Sequence, residues 1–241
     1  SPDLEDSMEE ILDIPEVPEE PKELVFNTIE DYAQLKTKEE IITAFGKESI
    51  KNGTSWYAEG TVQLKHTIVR NPKNKHIVKY VWNEENPKKL SSIEINYFDW
   101  NEDFEVKGTQ KVLSACGFYT GMPINELRKW NGADFNFSGF GWDYEGGVFA
   151  TPKSRLSICP VTIKLGLKLD GNMDGLDGLY GDQELNTSDE SVKKAPIIIE
   201  KITKIKILGE TATEITYLGN SIKYFVVTKK DGKYNSYDDK T

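Results

Sequence analysis

The chain has few of the residues that build metal and redox centres. Its 241 residues include two cysteines and two histidines, and the absence of any CxxC or His-x-His spacing argues against a zinc site. The glycine and serine patterns of α/β-hydrolases, P-loop proteins and dinucleotide-binding folds are absent too, so the sequence contains no assembled catalytic motif. The formal net charge of -10 argues against nucleic acid as a partner, because binding it requires a basic surface.

The chain also lacks an apolar run long enough to span a membrane. Residues 1–23 are acidic and proline-rich, which is typical of a flexible tether. A chain that begins with Ser-Pro and such a tether fits a bacterial lipoprotein whose lipidated cysteine lies just upstream. We therefore expect an extracytoplasmic protein, periplasmic or at the cell surface, that meets the membrane only through an N-terminal lipid anchor. A cytoplasmic protein trimmed at its N terminus is the alternative.

What the chain does contain is two short helices with clear ends. Thr37 and Glu40 form a capping box, and Gly46 ends the helix that follows. In the second helix, Pro123 suits the first position and Gly132 suits a left-handed stop. Alternating hydrophobicity predicts strands after each helix. They cover 55–58, 62–69, 76–82 and 92–98 after the first helix, and 134–137, 146–150, 156–158, 161–169 and 197–208 after the second.

A shift of the sequence by 86 residues aligns the two helices and the segments after them. It places Gly46 on Gly132 and Trp56 on Trp142, as duplication of a helix-plus-sheet unit would. The expected fold is therefore α+β, with two related helix-plus-antiparallel-sheet units whose helices pack on one face of the sheet. The predicted organisation is a tether at 1–23, units at 24–106 and 107–230, a polar insert at 170–195 in the second unit, and a frayed C terminus at 231–241.

The centre of the second unit carries the motif GM-x3-EL-x3-NG followed by F-x-F-x-GFGWDY-x-GG. It consists of Gly121, Met122, Glu126, Leu127, Asn131, Gly132, Phe135, Phe137, Gly139, Phe140, Gly141, Trp142, Asp143, Tyr144, Gly146 and Gly147. This motif resembles an uncharacterised family of bacterial exported proteins and lipoproteins. Segments at Phe45–Gly46, Glu59–Gly60 and Val81–Trp82 resemble the other end of that family. The likeness covers roughly residues 35 to 208; it implies an extracytoplasmic compartment and no known activity.

A more distant resemblance concerns the architecture alone. A helix followed by antiparallel sheet, twice over, is similar to the tandem fold of beta-lactamase inhibitory protein, and a single unit is similar to small barrel-assembly lipoproteins. No functional residue is carried over from either group, because fold does not determine function.

The two cysteines admit two explanations. In an exported chain Cys116 and Cys159 could close a disulfide, since that compartment oxidises thiols. Two small buried hydrophobic side chains are the other explanation.

One loop raises the question of calcium. Asp170, Asn172 and Asp174, followed by glycine, match the opening of a calcium loop, in which short oxygen ligands alternate. The twelfth position is Gly181 instead of glutamate, and Asp-Gly turns form without any metal. Calcium is the one cofactor that the sequence suggests, and a plain turn is the alternative.

Aromatic residues near the two aligned tryptophans form the candidate recognition surface. The candidate binding residues are Trp56, Tyr57, Phe140, Trp142, Asp143 and Tyr144. Aromatic anchors dominate binding interfaces, although any one such ring is more often part of a core. The leading hypothesis is an exported, membrane-tethered protein without catalytic chemistry that binds a protein or a glycan of the cell envelope. A binding module of this kind predicts an exposed aromatic patch.

The alternative is a carbohydrate-active hydrolase. Asp143 and Glu145 alternate by two and could serve as paired carboxylates among aromatic rings on which sugars stack. A hydrolase predicts a cleft in which one carboxylate has a raised pKa.

Overall fold

The computed structural model describes residues 24–57, 60–101, 103–142, 144–152, 154–169 and 174–205, together with the backbone of two short strands further along. The predicted tether and frayed C terminus lie outside these ranges. The helices are α1 Ile29–Tyr32, α2 Lys38–Phe45, α3 Ile124–Asn131, α4 Arg155–Ile158 and α5 Glu190–Lys194. The strands are β1 Ile50–Tyr57, β2 Val62–Arg70, β3 Ile77–Trp82, β4 Leu90–Asn96, β5 Phe98–Trp100, β6 Val106–Thr109, β7 Asn136–Ser138, β8 Val148–Phe149, β9 Thr162–Leu167, β10 Glu184–Asn186, β11 Ile197–Ile205, β12 Thr228–Lys230 and β13 Lys233–Asn235. None of the helices in the described ranges is long and apolar enough to cross a bilayer.

Six strands form the principal sheet, in the order β1-β2-β3-β4-β11-β9. Every neighbouring pair in it is antiparallel. The first four strands meander, and β11 and β9 then extend the sheet beyond β4. The chain is thus an α+β protein with antiparallel sheets, as the sequence predicts.

One face of the principal sheet forms the hydrophobic core. Val78, Tyr80 and Trp82 alternate along β3 and are fully buried, because a period of two puts them on one face. Helices α1, α2 and α3 contribute side chains to the same core. Buried polar groups there are paired: the Trp82 indole N–H donates to Thr67 Oγ1 at 2.9 Å, and the Tyr80 hydroxyl donates to the Tyr32 carbonyl at 3.0 Å. This pairing avoids the cost of burying unsatisfied donors.

The helix ends follow the local sequence signals. The Thr37 hydroxyl accepts from the Glu40 N–H and the Glu40 carboxylate accepts from the Thr37 N–H, which confirms the predicted capping box. Gly46 ends α2 with φ of 82°, and Gly132 ends α3 in the left-handed conformation. Pro123 is the N-cap of α3 with an extended backbone, so the helix begins one residue later than predicted.

A second, smaller sheet has the order β10-β7-β8. The aromatic alternation that continues through Tyr144 does not form a strand, because the chain leaves the sheet after Ser138 and forms the loop that joins β7 to β8. Gly146 closes this loop: its N–H donates to the Ser138 carbonyl at 3.0 Å. The polar insert supplies β10 and α5, so part of it is regular structure.

Residues 156–158, predicted as a strand, belong to helix α4 instead. The Ser154 hydroxyl accepts a hydrogen bond from the Ser157 N–H, and an N-cap of this kind stabilises the first turn of a helix. The alternation of apolar residues was too short to distinguish a strand from a helical turn.

The predicted tandem arrangement is not confirmed. Strands β9 and β11 come from the second predicted unit, yet they complete the sheet that β1 to β4 begin. Trp56 lies on the edge strand β1, whereas Trp142 lies in the loop between β7 and β8. Residues from both predicted units also share one core cluster.

Candidate functional site

The aromatic candidates do not form one continuous surface. Trp56 and Trp142 are 64% and 59% exposed, but Trp56 lies on strand β1 of the principal sheet and Trp142 lies in the loop between β7 and β8 of the smaller one. Phe140 is 4% exposed and packs in the core, so it is not accessible to a partner. Tyr57 and Tyr144 are half-buried.

A small pocket opens beside Trp142, and its volume is about 100 Å³. Its lining combines two aromatic rings with small and polar side chains: Ser138, Gly139, Trp142, Tyr144, Gly181, Asp182 and Gln183. The lining comes from two segments, the loop between β7 and β8 and the part of the insert that precedes β10. The candidate Asp143 lies outside the described residues.

Main-chain hydrogen bonds join these two segments. Pairing of β7 with β10 brings them side by side. Beyond the strands, the Gly139 N–H donates to the Gln183 carbonyl at 2.8 Å, and the Phe140 N–H donates to the Leu179 carbonyl at 2.9 Å. The Gly181 N–H returns a bond to the Phe140 carbonyl at 3.0 Å. Main-chain hydrogen bonds therefore hold the two walls of the pocket in place.

Gly139 is required by this close approach. A Cβ atom at this position would lie 2.6 Å from the Gly181 carbonyl oxygen and 3.0 Å from that of Leu179, distances that side chains do not tolerate. The buried Phe140 ring also meets the Tyr180 ring edge-on at 6.3 Å between centroids. The loop is thus anchored to the core beside the pocket.

The polar side chains of the pocket differ in how far hydrogen bonds restrain them. Gln183 Nε2 donates to the carbonyls of Gly178 at 2.9 Å and Tyr180 at 2.7 Å, which uses both amide hydrogens and fixes the side chain. Its Oε1 atom remains as the acceptor. Asp182 is exposed beside it. The Trp142 carbonyl accepts from the Glu145 N–H at 2.9 Å, so a turn holds the backbone that carries the indole.

Glu145, a residue of the hydrolase hypothesis, supports this loop. Its Oε2 accepts from the Gly141 N–H at 2.9 Å, and its Oε1 accepts from Lys164 Nζ at 3.0 Å. Burial raises the pKa of Glu145, but the Gly141 N–H and the Lys164 ammonium lower it by more, so this pKa lies below its ordinary value. The carboxylate is ionised and ties the base of the loop to β9.

Glu200 is a second carboxyl group beside the same lysine. Burial raises the pKa of Glu200. The positive charge of Lys164 opposes this rise, and the negative charge of Glu145 adds to it. The pKa of Glu200 therefore lies above its ordinary value. Two carboxylates whose pKa values are pushed apart are typical of acid–base pairs in enzymes. Neither of these two groups lines the pocket beside Trp142.

Other charged groups lie on the face of the principal sheet that points away from the hydrophobic core, which is also the face of Lys164. Glu94 is 7% exposed and its Oε2 lies 3.4 Å from Lys79 Nζ. Burial raises the pKa of Glu94, but Lys201 and Lys79 lower it by more. Burial also raises the pKa of Tyr57, and the charge of Glu94 adds to that rise. The Tyr57 hydroxyl is buried and makes no hydrogen bond of good geometry.

A serine–histidine contact lies on this face as well. Ser55 Oγ is 3.0 Å from His66 Nδ1, and burial lowers the pKa of His66. The other ring nitrogen, Nε2, faces Gly53, where an added Cβ would lie 2.7 Å away. Among the described residues, no carboxylate accepts a hydrogen bond from this histidine as the orienting acid of a catalytic triad would.

A disulfide joins Cys116 to Cys159. It connects the segment before α3 to the end of α4, and no free cysteine is present in the described ranges. Of the calcium-loop residues, Asp174 is exposed, whereas Asp170 and Asn172 lie outside the described residues. Within the part of the chain that the structure describes, no three His, Cys, Asp or Glu side chains are grouped so as to hold a metal ion.

Comparisons with protein families, curated proteins and solved structures gave no match to this chain. The exported family that the motif resembles, the compartment and the partner class therefore remain predictions.

Sequence reasoning missed Asp182 and Gln183 as neighbours of Trp142, and it also missed Tyr180. It treated residues 170–195 as a polar insert with a candidate calcium loop. A usable signal was present: Leu176 and Leu179 interrupt the Asp-Gly repeats and are buried, and a solvated turn has no need of such anchors. The pairing of β10 with β7 remained unpredictable, because it joins residues about fifty positions apart.

Proposed function

We propose that this chain is an exported binding protein without catalytic chemistry, whose recognition surface is the pocket beside Trp142. The observation that carries the proposal is a tryptophan 59% exposed on a loop held by main-chain hydrogen bonds. Exposing a large aromatic ring costs free energy of solvation, and ring and pocket together are typical of a binding site that combines apolar and polar contacts.

The disulfide supports an extracytoplasmic location. Disulfides persist in oxidising compartments and are rare in the cytosol. We propose in addition that the chain is tethered to the membrane by a lipid anchor, a proposal supported by the acidic, proline-rich composition of residues 1–23 and by the family resemblance.

The second candidate function is a carbohydrate-active hydrolase, favoured by the opposite pKa shifts of Glu145 and Glu200. Glu145 is engaged by Gly141 and Lys164, and this lowers its value as a nucleophile or base. The variants Glu145→Gln and Glu200→Gln test this candidate on chromogenic glycosides, since a hydrolase would lose turnover in both.

Binding is tested with two matched variants, Trp142→Ala and Trp56→Ala. The two rings are exposed to similar extents, but only the first lines the pocket. Defined oligosaccharides and unstructured peptides are titrated while the indole N–H resonances are followed by NMR. We expect one probe class to shift the Trp142 resonance saturably, and we expect Trp142→Ala, but not Trp56→Ala, to abolish binding. Equal losses in both variants would contradict the proposal.

We also propose that the two halves share an origin. The start of α3 follows the start of α2 by 86 residues, as β7 follows β1 and β8 follows β2. The order of helix and antiparallel hairpin therefore recurs at the interval that the sequence suggests. Under this proposal, the second copy lost most of its first hairpin, and its later strands joined the sheet of the first.

A further inference from the structure

We propose that the pocket beside Trp142 binds one ring of a neutral saccharide. This inference rests on the proposed function, because it assigns a ligand class to the same pocket. Three properties of the pocket carry it: its exposed indole on a hydrogen-bonded turn, its polar lining, and the charge of that lining.

The indole supplies a flat apolar platform. Trp142 is 59% exposed, and its backbone is fixed by the turn to Glu145. The C–H groups of one face of a pyranose ring can stack on such a surface, which buries apolar area from both partners. Because the backbone under the ring is already ordered, binding has little backbone entropy left to remove there.

The rest of the lining suits hydroxyl groups, which both donate and accept. The Asp182 carboxylate and the Gln183 Oε1 atom accept hydrogen bonds, and the Ser138 hydroxyl does both. The Gln183 amide is immobilised by the carbonyls of Gly178 and Tyr180. Hydrogen-bonding groups beside an aromatic plane, one of them an acceptor of fixed orientation, match the apolar faces and polar edges of a sugar ring.

The charge of the lining selects among ligands. Among the described residues that line it there is one acid, Asp182, and neither lysine nor arginine. An anionic sugar would meet the Asp182 carboxylate, and like charges repel. A cation could bind Trp142 through its π face, but it would have no use for the acceptors and the hydroxyl that complete the lining. A neutral ring uses every group.

The size of the pocket sets the expected affinity. Its volume of about 100 Å³ is smaller than the roughly 150 Å³ cavity that accommodates benzene. One edge of a hexose therefore enters while its face stays on the indole. With the binding free energy per atom that is usual for small ligands, a ring of roughly 12 heavy atoms contributes a Kd on the order of millimolar.

The test uses the whole chain and four probes: a neutral hexose tetramer, a neutral N-acetylhexosamine tetramer, an acidic uronate tetramer and a lysine-rich peptide. Each is titrated while the indole N–H resonances of Trp142 and Trp56 are followed. We expect a neutral tetramer to shift the Trp142 resonance saturably at millimolar concentration and to leave that of Trp56 unchanged. We expect the uronate to bind at least threefold more weakly.

Variants separate stacking from polar contact. Trp142→Ala is expected to abolish binding, Trp142→Phe to retain a weakened form, and Asp182→Asn to remove the discrimination against uronate. Trp56→Ala is the matched control and keeps wild-type binding, and spectral dispersion verifies folding in each variant.

Binding of the peptide alone through Trp142 would overturn the saccharide assignment and leave the proposed function intact. Failure of every probe at Trp142 would overturn both, and neutral-sugar binding that survives Trp142→Ala would overturn the placement of the site.

Discussion

Replacing Cys116 and Cys159 together by serine is expected to lower the free energy of unfolding by up to about 4 kcal/mol at 25 °C. The two cysteines are 43 residues apart in the chain. For a loop of this length, the entropy that a crosslink removes from the unfolded ensemble corresponds to about 4 kcal/mol. In a chain of this size, that loss lowers the melting temperature by roughly 8–16 °C.

The crosslink acts chiefly on the unfolded chain, because the folded segments are also joined by other contacts. The Leu156 N–H donates to Asn131 Oδ1 at 3.1 Å, and the Trp130 indole N–H donates to the Cys116 carbonyl at 3.1 Å. These bonds connect α4 and the Cys116 segment to α3 without the sulfurs. We therefore expect the double variant to fold with a native-like spectrum and to unfold at lower urea concentration.

Urea titrations of four samples measure the effect: wild type oxidised, wild type reduced, the double variant, and the double variant with reductant. Reduced wild type and the double variant should coincide, and the reductant should leave the variant unchanged. A variant below the reduced wild type would show that serine itself disturbs packing. Two free thiols in the oxidised protein by mass spectrometry, or a loss below about 1 kcal/mol, would refute the reasoning from loop entropy.

Further predictions concern the support of the pocket loop. The pKa of Glu200 is raised in the folded protein. Its contribution to stability is therefore fully present below the unfolded pKa of about 4.3 and is lost as pH rises through the folded pKa. In urea titrations, Glu200→Gln should stabilise the protein increasingly from pH 4 to 7. The pKa of Glu145 is lowered in the folded protein, so Glu145→Gln should destabilise the protein at neutral pH. The difference in stability from wild type should fade as pH falls below 4. Stability profiles of wild type and variant that run parallel with pH would contradict both assignments. Gly146→Ala would place a Cβ 1.9 Å from the Leu165 carbonyl oxygen at φ 65°, which should cost about 3 kcal/mol or more. Gly132→Ala at φ 75° in open space is the matched control and should cost about 1 kcal/mol in the same titration; equal losses would refute the steric argument.

Features set by neighbouring residues were predictable from the sequence. The capping box at Thr37 and the stop at Gly132 depend on groups within one helical turn, so their chemistry is visible in a short window. The alternation in β3 likewise reports burial of one sheet face. The class of fold follows from these elements.

The assembly of the elements was not predictable. Strand β11 pairs with β4 across a separation of about a hundred residues, and no local pattern encodes that choice. The aromatic run around Trp142 alternates as a strand would, but a loop closed by Gly146 and fastened to β9 prevails over the alternation. The pocket combines this loop with a distant insert, so its lining could not be listed from either segment alone.

Exposure of an aromatic ring does not by itself identify a recognition site in this protein. Trp56 is 64% exposed, slightly more than Trp142, yet it projects from an edge strand and does not line the pocket. The difference lies in the surroundings: around Trp142 the backbone of two segments is hydrogen-bonded into walls, and a fixed amide and a carboxylate stand beside the ring. A ligand at Trp56 would have one ring to contact, whereas a ligand at Trp142 has a ring, acceptors and a cavity. Since multiple converging contacts are what produce specificity, binding at the two tryptophans should differ far more than their exposures do.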